Sequence, residues 1–519
     1  MPEDLVGAFN YRAIVMDTIH GSIPLNTEEY WLLQTPFLRR LHGVKQLGLA
    51  YLVFPSAKHS RLEHSIGVMH IAGLMARRIV DAVRRDRGLC TRLFIECNEK
   101  YFPGFIQVAR LAGLIHDLGH TPYSHMMEDS LEKLAQERRG LSDLLASIYK
   151  KTGIPRIHEA YTQVFAGSLA SHARESGRGE LSDYLELASA ALRHGHGSLG
   201  KSIEGKALDY GLDSSALGVV KQITSSPIVD ADRLDYLRRD AWFTGVIYGY
   251  IDIDRIIRGL RLTVKEGRLL IALDPKSIPS LEDMFDARYK MFKSVYLHHK
   301  MLSLRLAMKE ALSCLFDEWK ASLYSTIARS AEEFLEPGTL SRLIAKARVL
   351  FDDSEIDLSL RGLRINGSKA CSRWVDSLIH RRELLPVSLV KRPDTIAGML
   401  GASPDTLWEL DSFIVHVFNK FSELVEPYML DEARRLGAET AVIEKILESV
   451  GSSPDDESQY SFSDSLYLRA VIEITRFKIL YAYMYSLEEE DHLKLYNNRE
   501  KLSEAFTSLL KELWSSWHS

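Results

Sequence analysis

A chain of 519 residues with 46% hydrophobic and 26% charged residues has the composition of an ordinary globular protein, which excludes a fibrous or wholly disordered one and leaves room for two or more domains. Lysine and arginine number 65 against 70 aspartates and glutamates, and the resulting net charge of -5 argues against wholesale binding to nucleic acid or to an anionic membrane. The N-terminal "MPEDLVGAFNYR" carries acidic residues where a signal peptide needs basic and then apolar ones, so secretion is not expected. Apolar residues recur at three- and four-residue spacing in 61–83, 104–119, 156–172, 181–193, 281–325, 405–450 and 465–485, predicting a mostly α protein. "IGVMHIAGLMA" from Ile66 is too short for the roughly 20 residues of a membrane span. The arginine-rich "ARRIVDAVRRDR" (76–87) reads as a solvated helix face. Two β-prone runs around Lys265-Glu266-Gly267 predict a hairpin over 260–273. "RFKILYAYMY" is open to a strand or a buried helix, and loops are expected at 193–206 and 450–464, the latter as a disordered connector. Cys90, Cys97, Cys314 and Cys371 form no CxxC pair or regular framework, so a reducing compartment and a cytoplasmic location are expected.

Histidines concentrate where the chemistry is to be sought. Six of the 18 lie between positions 59 and 125: His59, His64, His70, His116, His120 and His125. Arg61 and His64 are three residues apart, and His116 and His120 four, so each pair shares a helix face. Asp117 sits inside the apolar "LAGLIHDLG", where an ionised carboxylate is costly unless it is paired or bound to a metal. Arg61 or His64 can supply an ion pair; a divalent cation satisfies His64, His116 and Asp117 together. Mixed imidazole and carboxylate ligands suit Mn, Fe or Zn better than Ca. The fourth ligand is sought in "SSPIVDADRLDYLRRDAW", among Asp230, Asp232, Asp235 and Asp240. A helix from about residue 231 would line up Asp232, Tyr236 and Asp240 with Arg233 beside them, a face suited to a phosphorylated ligand.

The order His64, His116-Asp117, Asp232 resembles that of the HD-domain metal-dependent phosphohydrolases. "DTIHGSIPL" (17–25), "FLRRLHGVKQLGLAYLVFPSAKHSRLEHSIG" (37–67), "AGLIHDLGHTPYSH" (112–125) and "DADRLDYLRRD" (230–240) are similar to the deoxynucleoside triphosphate triphosphohydrolase branch, that of the sterile-alpha-motif-and-HD protein. "DDSEI" (352–356) and "HRRELLPV" (380–387) match more loosely. The resemblance implies a helical HD phosphohydrolase domain over 1–330, with a small β-hairpin, and a C-terminal mainly helical lobe with minor strand over 331–519. It implies a divalent metal (Mn, Fe, Zn or Mg) on His64, His116, Asp117 and Asp232. Activated water would attack the α-phosphorus, releasing nucleoside and triphosphate.

Catalytic histidines would be His158, His125 and His120, with His125 or His158 protonating the departing 5′-oxygen. Arg61, Arg233 and Arg288 would neutralise phosphates, with Tyr236 beside them. Gln46 and Asp240 would meet the 3′-hydroxyl, and Leu47 and Tyr296 would leave no room for a 2′-hydroxyl. After "YSH" this branch carries an aspartate that works with the catalytic histidine, whereas here the residues are Met126-Met127-Glu128. The branch also binds a guanine nucleotide effector through Asp, Gln and Arg, where this chain has Gln34, Arg39 and His42. A homo-oligomer is expected, with a nucleotide effector possible but the GTP device lost. The competing expectations are an HD phosphatase or phosphodiesterase on another phosphoester, and a non-catalytic nucleotide-binding scaffold.

Overall fold

The computed structural model describes residues 11–193, 200–226, 228–380, 386–389, 400, 407–449, 478–486 and 488–517. The connector expected at 450–464 lies outside the described residues, as do 194–199 of the loop expected at 193–206; residues 201–206 of that loop are instead part of a helix, Lys201–Asp209. Two compact units are formed, one from residues 1–288 with 323–358, the other from 289–322 with 359–519. The chain thus leaves the first unit and returns to it, a different division from a single cut at residue 330.

The first unit opens with an antiparallel hairpin absent from the sequence reading, β1 (Tyr11–Asp17) paired with β2 (Gly21–Asn26). Alternation along β1 leaves Ile14 and Met16 exposed and buries Asp17. Helix α1 (Arg61–Val83) matches the predicted span and is buried along most of its length, against helix α2 (Phe102–Ile115). Ser60 starts α1 through a capping box: its hydroxyl accepts the Glu63 N–H, while the Glu63 carboxylate accepts that of Ser60. Helices α3 (His125–Glu137), α4 (Ile157–Glu175), α5 (Gly179–Arg193) and α6 (Ala231–Thr244) follow. The expected hairpin is present as β3 (Leu260–Lys265) and β4 (Arg268–Leu273), with Glu266 and Gly267 both at positive φ in the turn.

Arg40 explains why 323–358 belongs here. Its guanidinium is fully buried and donates to the carbonyls of Leu118, His120, Leu350 and Phe351, tying the turn after α2 to the returning segment.

The second unit contains helix α7 (His299–Asp317) and a three-stranded antiparallel sheet in the order β5 (Val387–Ser388), β7 (Lys478–Ser486), β6 (Ala441–Ser449). Its core gathers Phe413, Ile414, Val417 and Met429 with Leu480, Ala482 and Phe506. The helical expectation over 405–450 holds to Arg435 and then fails: 441–449 is strand, paired with 478–486, which settles the strand alternative for "RFKILYAYMY". Val442 is exposed and Ile443 buried, the two-residue period of a strand that a short apolar run conceals.

All four cysteines are paired, Cys90 with Cys97 and Cys314 with Cys371, although their spacing shows no regular framework. Spacing hid this, because the second pair closes a 57-residue separation. The cysteines therefore lend no support to a reducing compartment. No described helix is long and apolar enough to cross a membrane.

Candidate functional site

Three helix ends carry the candidate ligands. The cap at Ser60 sets Arg61 and His64 in the first turn of α1. Helix α2 ends at Ile115, and His116 and Asp117 occupy the turn beyond it, where His116 Nδ1 contacts the Gly113 carbonyl at 2.8 Å. That turn presses closely on α4: a Cβ at Gly119 would stand 2.2 Å from both the His158 carbonyl oxygen and the Thr162 nitrogen, so only glycine fits. Asp230 caps α6 by accepting the Arg233 N–H at 2.6 Å, which puts Asp232 in that helix's first turn.

The four groups converge. Asp232 Oδ1 lies 3.0 Å from His64 Nε2 and 3.6 Å from His116 Nε2, while the Asp117 oxygens lie 3.5 and 3.3 Å from the same two nitrogens. Both Nε2 atoms are buried without a hydrogen-bond partner. Where Nδ1 of His116 donates to a carbonyl, Nε2 carries the lone pair, and a buried lone pair beside two carboxylates calls for a cation. Electrostatics agree. Burial opposes charge on His64, but the adjoining Asp232 and Asp235 carboxylates push it up to about 10. Burial alone would raise Asp117 and Asp232, and the neighbouring histidines, with Arg61 at Asp117, hold both below the usual carboxylate range. Two imidazoles and two carboxylates fit a divalent cation. Arg61 is committed to this assembly, donating to Asp117 Oδ2 at 2.5 Å, Ser124 Oγ at 2.9 Å and the Gln46 carbonyl at 3.4 Å.

A second cluster adjoins the first through His120, whose Nε2 is 3.2 Å from Asp117 Oδ1. Its centre is Glu128, which meets Nδ1 of His120 at 2.7 Å, of His125 at 3.1 Å and of His158 at 3.0 Å. His120 and His158 stack with ring centroids 4.2 Å apart. The longer stem of Glu128 thus reaches all three histidines, a role the sequence left open. Burial is outweighed by His120 and His158, which hold Glu128 well below its ordinary range; Glu128 in turn raises His158 against burial. Burial and Arg61 push His120 down to about 4. The loop leading here is strained, with Tyr123 at φ 57° and Ser124 at φ 56°. Asp353 holds it by accepting the Tyr123 N–H at 2.6 Å, while the Lys45 ammonium lies 3.0 Å from the same carboxylate.

The remaining candidates are distributed as follows. Gln46 is buried and its Oε1 has no hydrogen-bond partner. Leu47 is half-buried and leads into the turn at Gly48–Leu52. Asp240 is paired with His59 Nε2 at 2.7 Å. Arg233 donates to the Ile228 and Ser226 carbonyls, and the Tyr236 hydroxyl interacts with both Arg233 and Arg288. Burial, then the nearby Arg233, lowers Arg288. Tyr296 belongs to the second unit, in the turn Phe292–Tyr296. The sequence reading missed the contributions of Asp17, His20 and Asp353; the "DTIHG" and "DDSEI" motifs that contain them were the available signal.

Among known proteins, the HD domain family model matches residues 61–237, which span α1 to most of α6. An uncharacterized protein of Methanocaldococcus jannaschii, MJ1154, is 28% identical over 285 residues, covering 55% of this chain and 46% of its own. The Gallus gallus deoxynucleoside triphosphate triphosphohydrolase SAMHD1 is 26% identical over 441 residues, covering 80% of this chain and 64% of its own. The chain therefore spans about half to two thirds of the length of these relatives. A phosphohydrolase from Bacteroides thetaiotaomicron shares the fold, with a TM-score of 0.57 and 21% identity over 92% of this chain and 100% of that one. Residues 61–237, whose helix ends carry the candidate histidine and aspartate ligands, match the HD domain family.

Proposed function

We propose that this protein hydrolyses deoxynucleoside triphosphates to deoxynucleoside and triphosphate, with a divalent cation held by His64, His116, Asp117 and Asp232. The observation that carries this reading is the junction of two clusters at Asp117: a cation site with unsatisfied imidazole nitrogens beside three histidines gathered on one carboxylate. The likeness to SAMHD1 over 80% of the chain supports the choice of substrate. The cation, when bound, supplies Lewis acidity toward water and a phosphoryl oxygen.

The protein's own residues do the rest. Water adds at the α-phosphorus, the bond to O5′ breaks, and the leaving oxygen takes a proton from His158 or His125, with His120 against the phosphate chain. Glu128 favours this by stabilising the protonated form of His158. Arg233, Arg288 and Tyr236 take the phosphates; Arg61 assists through its hold on Asp117. Gln46, through its unpartnered Oε1, and Asp240 receive the 3′-hydroxyl, while Leu47 excludes a 2′-hydroxyl. The metal is Mn, Fe, Zn or Mg, and the working form is a homo-oligomer. Incubation with each dNTP and Mn or Mg, followed by separation of triphosphate from orthophosphate, tests this reading. Release of orthophosphate alone would replace it with a phosphatase.

A further inference from the structure

Of the four aspartates in "DADRLDYLRRD", one is filled to capacity. Both Asp235 oxygens accept from Arg239, Oδ2 from Nε at 2.8 Å and Oδ1 from Nη2 at 2.9 Å. Each oxygen also meets a histidine: Oδ1 faces His20 Nε2 at 2.6 Å and Oδ2 faces His64 Nδ1 at 2.7 Å. A carboxylate gripped by an arginine in this way has no proton to give, so His64 must donate from Nδ1. Its lone pair is then forced onto Nε2, the atom that faces Asp117 and Asp232. Asp235 has no acceptor capacity left for a cation.

The other half of this arrangement comes from outside the stretch matched by the HD family model. His20 lies in the turn between β1 and β2, and Asp17 ends β1. Asp17 Oδ1 accepts the backbone N–H groups of Ile19 and His20 at 2.9 and 2.8 Å, shaping the turn, while Oδ2 accepts from Arg239 Nη1 at 2.8 Å. The side chains of His64, Asp235 and Arg239 are fully buried, and those of His20 and Asp17 nearly so. Space is reserved for the network: a Cβ at Gly67, one turn beyond His64, would lie 2.0 Å from Asp235 Oδ1 and 2.5 Å from Arg239 Nη2. A large fixed cost in buried charge is spent on the orientation of one ring.

We infer that Asp235 is the residue that sets the metal-binding tautomer of His64, and that the N-terminal hairpin, through His20 and Asp17, is an integral part of the metal centre. This rests on the proposed cation site but makes its own demand, because none of these residues touches the cation. Metal affinity of the full chain, measured by chelator competition with Mn(II) or Zn(II), separates the two. Asp235→Asn is expected to weaken binding about ten- to a hundredfold, the usual effect of losing an outer carboxylate behind a histidine ligand. His20→Ala should weaken it less, and His20→Gln, which keeps an N–H donor, should recover most of that loss. Circular dichroism of the metal-free proteins checks folding, and if Asp235→Asn does not fold, the two His20 variants decide. Wild-type affinity in Asp235→Asn and His20→Ala, with metal lost from Asp232→Asn, would overturn the inference alone. Wild-type affinity in Asp232→Asn as well would remove the metal centre and the inference with it.

Discussion

The two clusters that meet at Asp117 use the same residue types in opposite ways. Around His64 and His116 the groups stand on helix ends, and two buried imidazole nitrogens face carboxylates without making a hydrogen bond. Around Glu128 the groups stand on a strained loop and the first turns of two helices, and all three imidazoles have their Nδ1 on one carboxylate. Buried imidazole nitrogens facing carboxylates are well satisfied by a cation, whereas an imidazole and carboxylate network already bonded can gain or lose a proton without being dismantled. In the proposed reaction histidine is a ligand in one and a proton carrier in the other, and the difference lies in where the second ring nitrogen goes.

Removing a ligand should break that division most severely. In Asp232→Asn the cation site loses its one partly exposed carboxylate, and elemental analysis should find metal depleted while hydrolysis falls by at least a thousandfold, about 4 kcal/mol. Unchanged metal content and activity would take Asp232 out of the site.

Glu128→Gln probes the other cluster. Metal should remain, and kcat should drop roughly a hundred- to ten-thousandfold, the range for loss of positioned acid catalysis. The sign of the pH effect is fixed: Glu128 raises His158, so its removal lowers that value, and the limb of the profile that needs protonated His158 should move to lower pH. A metal-depleted Glu128→Gln protein would erase the distinction between the clusters.

The order of the candidate ligands was legible in the sequence because the motif lies in short stretches, each with one spacing on one helix end. The roles of Asp235 and His20 were not, because they meet across 215 residues and a hairpin turn carries no helical period. Glu128 was in doubt for a local reason: one added methylene shifts the carboxylate, and only the positions of His120 and His158 show that it still reaches. In the second unit, β6 was mistaken for helix because its paired residues lie about 29 to 45 positions away, beyond any local pattern.

Sugar selection is a smaller effect and involves neither cluster. The proposed exclusion of the 2′-hydroxyl predicts that dATP is hydrolysed roughly ten- to a hundredfold faster than ATP, and that Tyr296→Ala narrows the gap. Equal wild-type rates would favour another phosphoester as substrate.

Smallest of all should be the response to GTP. Gln34 and His42 replace a carboxylate and an arginine at the matched effector positions, and losing a charged hydrogen-bond partner costs about 1.5–3 kcal/mol, as much as allosteric coupling usually amounts to. The rate on a single pure dNTP should be the same with and without GTP, with assembly followed by light scattering. Strict dependence on GTP would show that these substitutions are tolerated.

The site of bond cleavage ties both clusters to the proposed reaction. Hydrolysis of dATP in ¹⁸O-labelled water, with products resolved by mass spectrometry, should place one labelled oxygen in triphosphate and none in deoxyadenosine. Label in orthophosphate, or in the nucleoside, would contradict attack at the α-phosphorus with protonation of the 5′-oxygen.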